Sequence, residues 1–367
     1  MVSNSQQDAV DTQPRRLLIA ASGTGGHLFP ALAVAEVLET DSFQLEWLGV
    51  SHRLETQCVP QKYPLHTVPI EGFQNRLGLQ TPILLGKLAV AVWQTRQLLK
   101  QGHFCGVLTT GGYIAAPAIL AAWSLGLPRV IHEANAIPGK VTRWLSSFCT
   151  RVALGFADAA PYLPKDRTIV VGTPVRPVFL NPCSLDLPIP PDAVLIVVAG
   201  GSQGAVALNR LVRTCAPTWL RTGAWIVHLT GSQDPDTESF DHPHYLSMPF
   251  YENMAGLWQR ANLAISRAGA GTLSELAIAA TPAVLIPYPY AAEDHQAFNA
   301  AVFAKAGAAT VYRQGDLTAE QLEQTILHLL ENPLILKEMA AKAFSLAVPD
   351  STERCAQLMR AELTRKP

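Results

Sequence analysis

The chain has 367 residues, 49% of them hydrophobic and only 16% charged, which excludes a disordered polypeptide and supplies apolar side chains for about two domains. Its 28 basic and 29 acidic residues leave a formal net charge of -1, so no global field draws it onto nucleic acid, and an anionic ligand must be held locally. The six cysteines are scattered without a CxxC, which disfavours zinc or a redox pair and fits reduced thiols in a cytosolic protein.

In chain order, residues 1–15 read as a loose polar tail, since Asp8 and Asp11 are incompatible with the apolar core of a signal peptide. Leu17 to Ala21 predicts a buried strand, Ser22 to His27 a glycine loop, and Pro30 opens a helical pattern reaching Glu39. Phe43 to Val50, Val107 to Thr110, Arg129 to His132 and Thr168 to Val171 extend the first sheet. Lys87 interrupts the apolar run from Pro82, so no segment reaches the ~18 to 20 residues that span a bilayer. Gly172 to Asp192 is dense in proline and lacks periodicity, the composition of a stiff interdomain linker. The opening grammar then returns: strand Ala193 to Ala199, loop Gly200 to Gly204, and a helix through Arg213. Trp225 to Thr230, Leu263 to Ser266 and Ala283 to Pro287 extend a second sheet. Wholly apolar strands alternating with helices imply parallel sheets covered on both faces. The fold class is therefore α/β, with two Rossmann-like doubly wound domains at 16–173 and 174–349.

Four glycine loops follow these strands: Gly23 to Gly26, Gly111-Gly112, Gly200 to Gly204 and Gly269 to Gly271. The free amides of a helix's first turn attract anions, and glycine lets the ligand approach, so four such loops point to phosphate chemistry. There is no G-x-x-x-x-G-K-[ST], and Leu28 replaces the third glycine of a dinucleotide fingerprint, which sets aside a P-loop nucleotidase and disfavours a dehydrogenase. In Ser266 to Glu275, Thr272 and Glu275 stand at capping-box spacing. They either close a helix start, or Glu275 takes ribose hydroxyls while the turn takes a phosphate.

Together GTGGHLFPALAVAE, TTGGYIAAPA, HEANAIPGK, VGTPVR, GGSQGA, SRAGAGTLSE and EDHQAFNA resemble, in order and spacing, the peptidoglycan lipid I N-acetylglucosaminyltransferases, the MurG family. The resemblance implies two domains facing across a cleft (GT-B architecture), the acceptor mainly on the first and the UDP-sugar on the second, with a helix at about 350–367 packing back on the first. It implies inverting transfer of GlcNAc from UDP-GlcNAc to the C4 hydroxyl of the muramyl sugar of lipid I, making lipid II, by a peripheral enzyme on the cytoplasmic face of the plasma membrane. Donor contacts carried over are Thr24, Gly25, Gly26, Asn135, Arg176, Ser202, Gln203, Tyr251, Ala270, Gly271, Thr272, Leu273, Ser274, Glu275 and Gln296. Gly112 and Tyr113 fall on the acceptor side. Ala297 and Tyr251 depart from the family's usual glutamine and aliphatic residue.

Amides at Ser202 and Thr272 with Arg176 suit the charge growing on departing UDP, so no metal or cofactor is called for. Asp234-Pro235-Asp236 reads as a turn, and His242 and His244 lack a carboxylate–histidine set around them. For the base that takes the acceptor's proton, His27 is one candidate and Glu133 the other. A galactolipid synthase, a UDP-GlcNAc epimerase or a non-catalytic nucleotide-sugar sensor would share the fold. Leu77, Leu79, Ile83, Leu84, Leu85, Leu88, Val92 and Trp93, with Arg76, Lys87 and Arg96, form either core or an apolar patch fringed by cations for an anionic membrane surface.

Overall fold

The computed structural model describes residues 15–23, 25–41, 43–51, 55–59, 63–70, 81–201 and 204–365. Thr24, Ser202, Gln203, Leu77 and Leu79 lie outside them. The first half runs β1 (Arg16–Ala20), α1 (Gly25–Thr40), β2 (Gln44–Gly49), α2 (Glu55–Cys58), β3 (Leu65–Thr67), α3 (Thr81–Gln101), β4 (Phe104–Thr109), α4 (Ala115–Ser124), β5 (Arg129–Glu133), α5 (Lys140–Leu145), β6 (Arg151–Leu154) and β7 (Thr168–Val170). The second runs β8 (Leu195–Ala199), α6 (Val206–Leu220), β9 (Trp225–Leu229), β10 (Tyr245–Met248), α7 (Met254–Arg260), β11 (Leu263–Ser266), α8 (Ala270–Ile278), β12 (Ala283–Leu285), α9 (His295–Ala306), β13 (Ala309–Val311), α10 (Ala319–Glu331), α11 (Pro333–Ser345) and α12 (Ser351–Thr364).

Every described strand pairing is parallel, in the orders β3-β2-β1-β4-β5-β6-β7 and β10-β9-β8-β11-β12-β13. Side chains alternate between the two faces of each sheet, and both faces are covered. Leu17 and Ile19 enter one core while Leu18 and Ala20 enter the opposite one. Leu195 and Val197 are likewise separated from Ile196 and Val198. That double burial is why these strands read as unbroken apolar runs.

Strand order reverses at β1/β4 in the first sheet and at β8/β11 in the second. Ligands of open α/β sheets settle in the crevice at such switch points. The four glycine loops are the segments that leave β1, β4, β8 and β11, so the sequence had already marked both crevices.

Two local expectations need correcting. Pro30 lies inside α1, which starts five residues earlier at Gly25, so the proline gives up its bond to the Gly26 carbonyl and crowds it instead of opening the helix. The Thr272/Glu275 capping box does not form. Burial of Ala270 draws the helix start forward, Gly269 becomes the N-cap, and Thr272 falls within the first turn.

Residues 171–194 carry no strand, only a short 3-10 turn at Pro177–Leu180 that anchors Phe179 in the second half's core. At the chain's end α12 returns to the first half. Cys355, Ala356 and Met359 join its core, and Ser351 and Thr352 donate to the carbonyls of Thr173 and Val175 at 3.0 and 2.9 Å.

Candidate active site

His27 sits on α1 beside the Gly111-Gly112 turn, whose φ angles of 92° and 73° favour glycine. Its Nδ1 lies 2.7 Å from the carbonyl oxygen of Thr110, and Thr110 Oγ1 donates back to the His27 carbonyl at 2.7 Å. A carbonyl only accepts, so Nδ1 carries a proton, and in the neutral imidazole the lone pair is then on Nε2. Gly25 and Gly26 form the first turn of α1, and Tyr113 packs half-buried against the first-half core.

Glu133, buried at the end of β5, has a different environment. Its Oε1 accepts from the backbone and side-chain amides of Asn135 at 3.0 and 2.9 Å, and its Oε2 accepts from the Gly139 amide at 3.1 Å. The carboxylate therefore staples the 134–139 loop.

In the second half, α8 opens on a bare Gly269 N-cap with no side chain closing its amides. Ala270, Gly271 and Thr272 form that first turn, Leu273 is buried beneath it, and Ser274 Oγ donates to the Ala270 carbonyl at 3.0 Å. Glu275 lies one turn further. Trp258 Nε1 donates to its Oε2 at 3.4 Å, and its Oε1 is 4.0 Å from Arg176. Burial pushes its pKa up to about 7, against the opposing pull of Arg176 and the Trp258 bond. Arg176 is itself sandwiched between Phe29 of α1 and Phe179, its guanidinium carbon 5.1 and 5.2 Å from the ring centres. On the β8 side, Gly204 has φ 84°, and a Cβ there would meet the Thr230 carbonyl at 2.4 Å.

Gln296 ties two loops together, its Oε1 accepting from the amides of Ala268 and Tyr288 at 3.1 and 2.9 Å. Tyr251 donates to Asp186 at 2.6 Å, and burial together with that carboxylate pushes its phenol up to about 12. Asp234 is committed elsewhere: it accepts from Asn209 at 2.6 Å, pairs with Arg213, and receives the Asp236 amide at 3.0 Å. His242 accepts the His244 amide at 3.1 Å, and His244 stacks on Trp225. Among the described residues no group of three or more metal-ligating side chains converges.

The structure thus gathers His27, Gly25, Gly26, Asn135, Arg176, Glu275 and Gln296 about the two switch points. Sequence reasoning passed over three residues that hold them: Phe29 under Arg176, Trp258 on Glu275, and Asn299. Asn299 lay inside the quoted EDHQAFNA motif, which was its one visible signal.

On α3 Ile83, 62% exposed, Val90 and Trp93, 61% exposed, share one outward side and Leu85 is exposed on another, while Ala91, Thr95 and Leu99 are buried. Leu84 is half-buried, so its exposed neighbours present the patch better; Lys87 is half-buried as well. No described helix is long and apolar enough to cross a membrane.

Residues 17–154 match the glycosyltransferase family 28 N-terminal domain and residues 195–355 its C-terminal domain. Curated relatives named UDP-N-acetylglucosamine--N-acetylmuramyl-(pentapeptide) pyrophosphoryl-undecaprenol N-acetylglucosamine transferase include one from Nostoc sp., 58% identical across 96% of this chain and 99% of its own. Another, from Gloeothece citriformis, is 61% identical across 95% and 96%. The crystal structure of Acinetobacter baumannii MurG superposes with a TM-score of 0.78 at 33% identity, covering 95% of this chain and all of that one. A UDP-GlcNAc 2-epimerase from Neisseria meningitidis, 13% identical with a TM-score of 0.69 over 94% of this chain and all of its own, shares the fold alone. The chain belongs to the MurG family of N-acetylglucosaminyltransferases, within glycosyltransferase family 28.

Proposed function

We infer that this chain transfers GlcNAc from UDP-GlcNAc to the C4 hydroxyl of the muramyl sugar of polyprenyl-linked lipid I, giving lipid II for peptidoglycan synthesis. The observation that carries the reading is Arg176, which stacks on Phe29 of α1 in one half and lies 4.0 Å from the half-buried Glu275 beside the uncapped start of α8 in the other.

In this reading the first half (16–173, with α12) receives the acceptor and the second (174–349) the donor. The diphosphate rests on the first-turn amides of Ala270, Gly271 and Thr272 and on the GGSQGA loop, with Arg176 adding charge. Glu275 takes the ribose hydroxyls, Tyr251 borders the base, and Asn135, Gln296 and the Thr24 to Gly26 turn face the sugar. The acceptor's C4 oxygen attacks the sugar's anomeric carbon from the face opposite the phosphate. The new C–O bond forms as the bond to the β-phosphate breaks, inverting that carbon, and His27 Nε2 takes the hydroxyl proton. UDP leaves with its growing charge met by preorganised amides. Glu133, held by three amides of its loop, serves as a brace for Asn135 and leaves the base role to His27.

Lipid I stays anchored by its polyprenyl tail, so the enzyme must work at a surface. The exposed Ile83, Val90 and Trp93 on one side of α3, and Leu85 exposed on another, with Lys87, Arg96 and Lys100 on the same helix, suit peripheral contact with an anionic leaflet on the cytoplasmic side.

Turnover of UDP-GlcNAc with and without lipid I tests the reading: UDP and lipid II should accumulate only with lipid I. Epimerisation without acceptor, or binding without turnover, would overturn it. His27→Ala should lower turnover roughly 100-fold or more while sparing UDP affinity. Wild-type turnover in that variant would remove His27 as the base.

A further inference from the structure

Asn299, fully buried on α9, joins the two halves of the molecule through a single side-chain amide. Its Oδ1 accepts the backbone N–H of Ala136 at 2.8 Å. Its Nδ2 donates to the Ala268 carbonyl and to Asn135 Oδ1, both at 3.1 Å. Backbone N–H groups only donate and carbonyls only accept, so the amide's orientation is fixed. The chain of bonds runs on from Asn135 Nδ2 to Glu133 at 2.9 Å. Asn135 is therefore gripped at both ends, leaving one N–H and one lone pair of its amide for a ligand.

A second contact spans the halves at the rim of the same segment. Glu293 accepts from Lys140 at 3.1 Å and from Arg143 at 2.5 Å, both on α5 of the first half. Glu293 and Asp294 hold φ angles of 55° and 54°, a left-handed pair that is strained for residues with a Cβ. Such strain persists where the surroundings over-determine it. Here the cations of α5 hold Glu293, while Arg313 holds Asp294 through bonds of 2.8 and 2.7 Å.

We propose that Asn299 is a positioning residue for the transfer: by bonding the 134–139 loop of one half to the 266–269 loop of the other, it sets the register of the closed cleft and aims Asn135 at the donor sugar. The proposal rests on the reading of Asn135 as a donor contact given above. UDP alone is held by the second half and does not need this register. UDP-GlcNAc, whose sugar reaches both walls, does.

The experiment uses the full-length chain with Asn299→Ala, Asn135→Ala and the double variant, reading kcat and KM for UDP-GlcNAc, Kd for UDP, and the thermal midpoint. Asn299→Ala should lower kcat/KM for UDP-GlcNAc by roughly 10-fold or more, as a misplaced contact does, with the UDP Kd within about 2-fold of wild type. The double variant should be no worse than the worse single, because one residue acts through the other. Asn299→Asp keeps the acceptor for Ala136 but loses both donations, so it should fall in the same way and serves if the alanine variant fails to fold. Parallel loss of UDP affinity and thermal stability would make Asn299 a scaffold residue and overturn the proposal, as would multiplicative effects in the double variant. Wild-type turnover in Asn135→Ala would remove the donor role of Asn135 and the proposal with it. A crippled Asn135→Ala beside a normal Asn299 variant would remove the proposal alone.

Discussion

Two helix starts in the second half are built to opposite ends. At α10, Thr318 Oγ1 accepts the Gln321 amide at 3.1 Å and Gln321 returns a bond to the Thr318 amide at 3.0 Å, a complete capping box on an exposed turn. At α8 the same threonine-led spacing appears in Thr272 and Glu275, yet the helix opens on a bare glycine and the acid lies half-buried a turn away. The capping box at α10 occupies the amides of Thr318 and Gln321 and so leaves fewer for a ligand, whereas α8 keeps its first-turn amides free of side-chain caps for an anion. The position of the helix start, fixed by tertiary packing, decides which of the two roles the residues take.

The largest expected effect comes from converting the second kind of helix start into the first. Gly269 has φ -66°, and a Cβ there meets nothing nearer than Thr272 Oγ1 at 3.9 Å, so Gly269→Asp fits. The aspartate should cap α8 and hold or raise the thermal midpoint, since acidic caps are among the best. It would also place a negative charge where the diphosphate binds, and like charges in contact cost several kcal/mol, so UDP affinity should fall roughly 100-fold or more. Calorimetric titration with UDP beside a melting curve separates the two. Normal affinity would mean that the phosphates lie elsewhere.

Glu275→Gln is the next step down. Losing charge-assisted bonds to ribose hydroxyls should weaken UDP binding by roughly 10- to 100-fold, from ~1.5 to 3 kcal/mol, while stability at pH 7 and above should rise, because the neutral amide escapes the desolvation that raises the carboxylate's pKa. The wild type adds a pH signature. The empty site holds Glu275 near pKa 7, raised from 4.5 by burial. Hydroxyl donors favour the ionised form and lower that value in the complex, so binding releases a proton. UDP affinity should rise with pH up to about 7 and level off above it, and Glu275→Gln should flatten the profile. Stability of the empty protein moves the opposite way. The folded state binds the proton more tightly than the unfolded chain, so stability falls as pH rises from 4.5 through 7 and is flat beyond. A pH-independent Kd in the wild type would show that Glu275 makes no contact with the nucleotide.

The contrast also explains what could be read without coordinates. Leu17 to Ala21 and, within the expected Ala193 to Ala199, the observed strand Leu195 to Ala199 were legible because strands buried on both faces need no polar residue, and the loops after them were legible because their backbone turns need glycine. The start of α8 was misplaced by three residues, with Gly269 and not Thr272 as the N-cap, because tertiary packing that no local spacing encodes buries Ala270. Asn299 was silent for a related reason: its partners are 31, 163 and 164 residues away, and an asparagine on a helical stretch looks the same whether it faces water or joins two domains. The role of Glu133 was ambiguous until its three donors were seen, since a carboxylate beside a strand end serves equally as base or brace. On α3 the apolar content was plain, but which residues face outward depends on the packing of α4 behind it.

The smallest effect belongs to the capped helix and acts as the control for the rest. Thr318→Ala removes the acceptor for the Gln321 amide but keeps the backbone N–H that donates to Gln321 Oε1, and loss of such a cap costs ~0.5 to 2 kcal/mol of stability. The lower part of that range applies here, because the turn is exposed and water replaces the lost bond at the freed amide. The α10 helix packs on α6 through Leu322, Ile326 and Leu329, and that apolar face is unchanged by the substitution. The domain should therefore stay folded, with a midpoint lowered by a few degrees and with UDP affinity, KM for UDP-GlcNAc and kcat all at wild-type values. If Thr318→Ala instead weakens UDP binding as strongly as Glu275→Gln does, donor binding in this half responds to general loosening of its helices. The separation drawn between a closed and an open helix start would then fail.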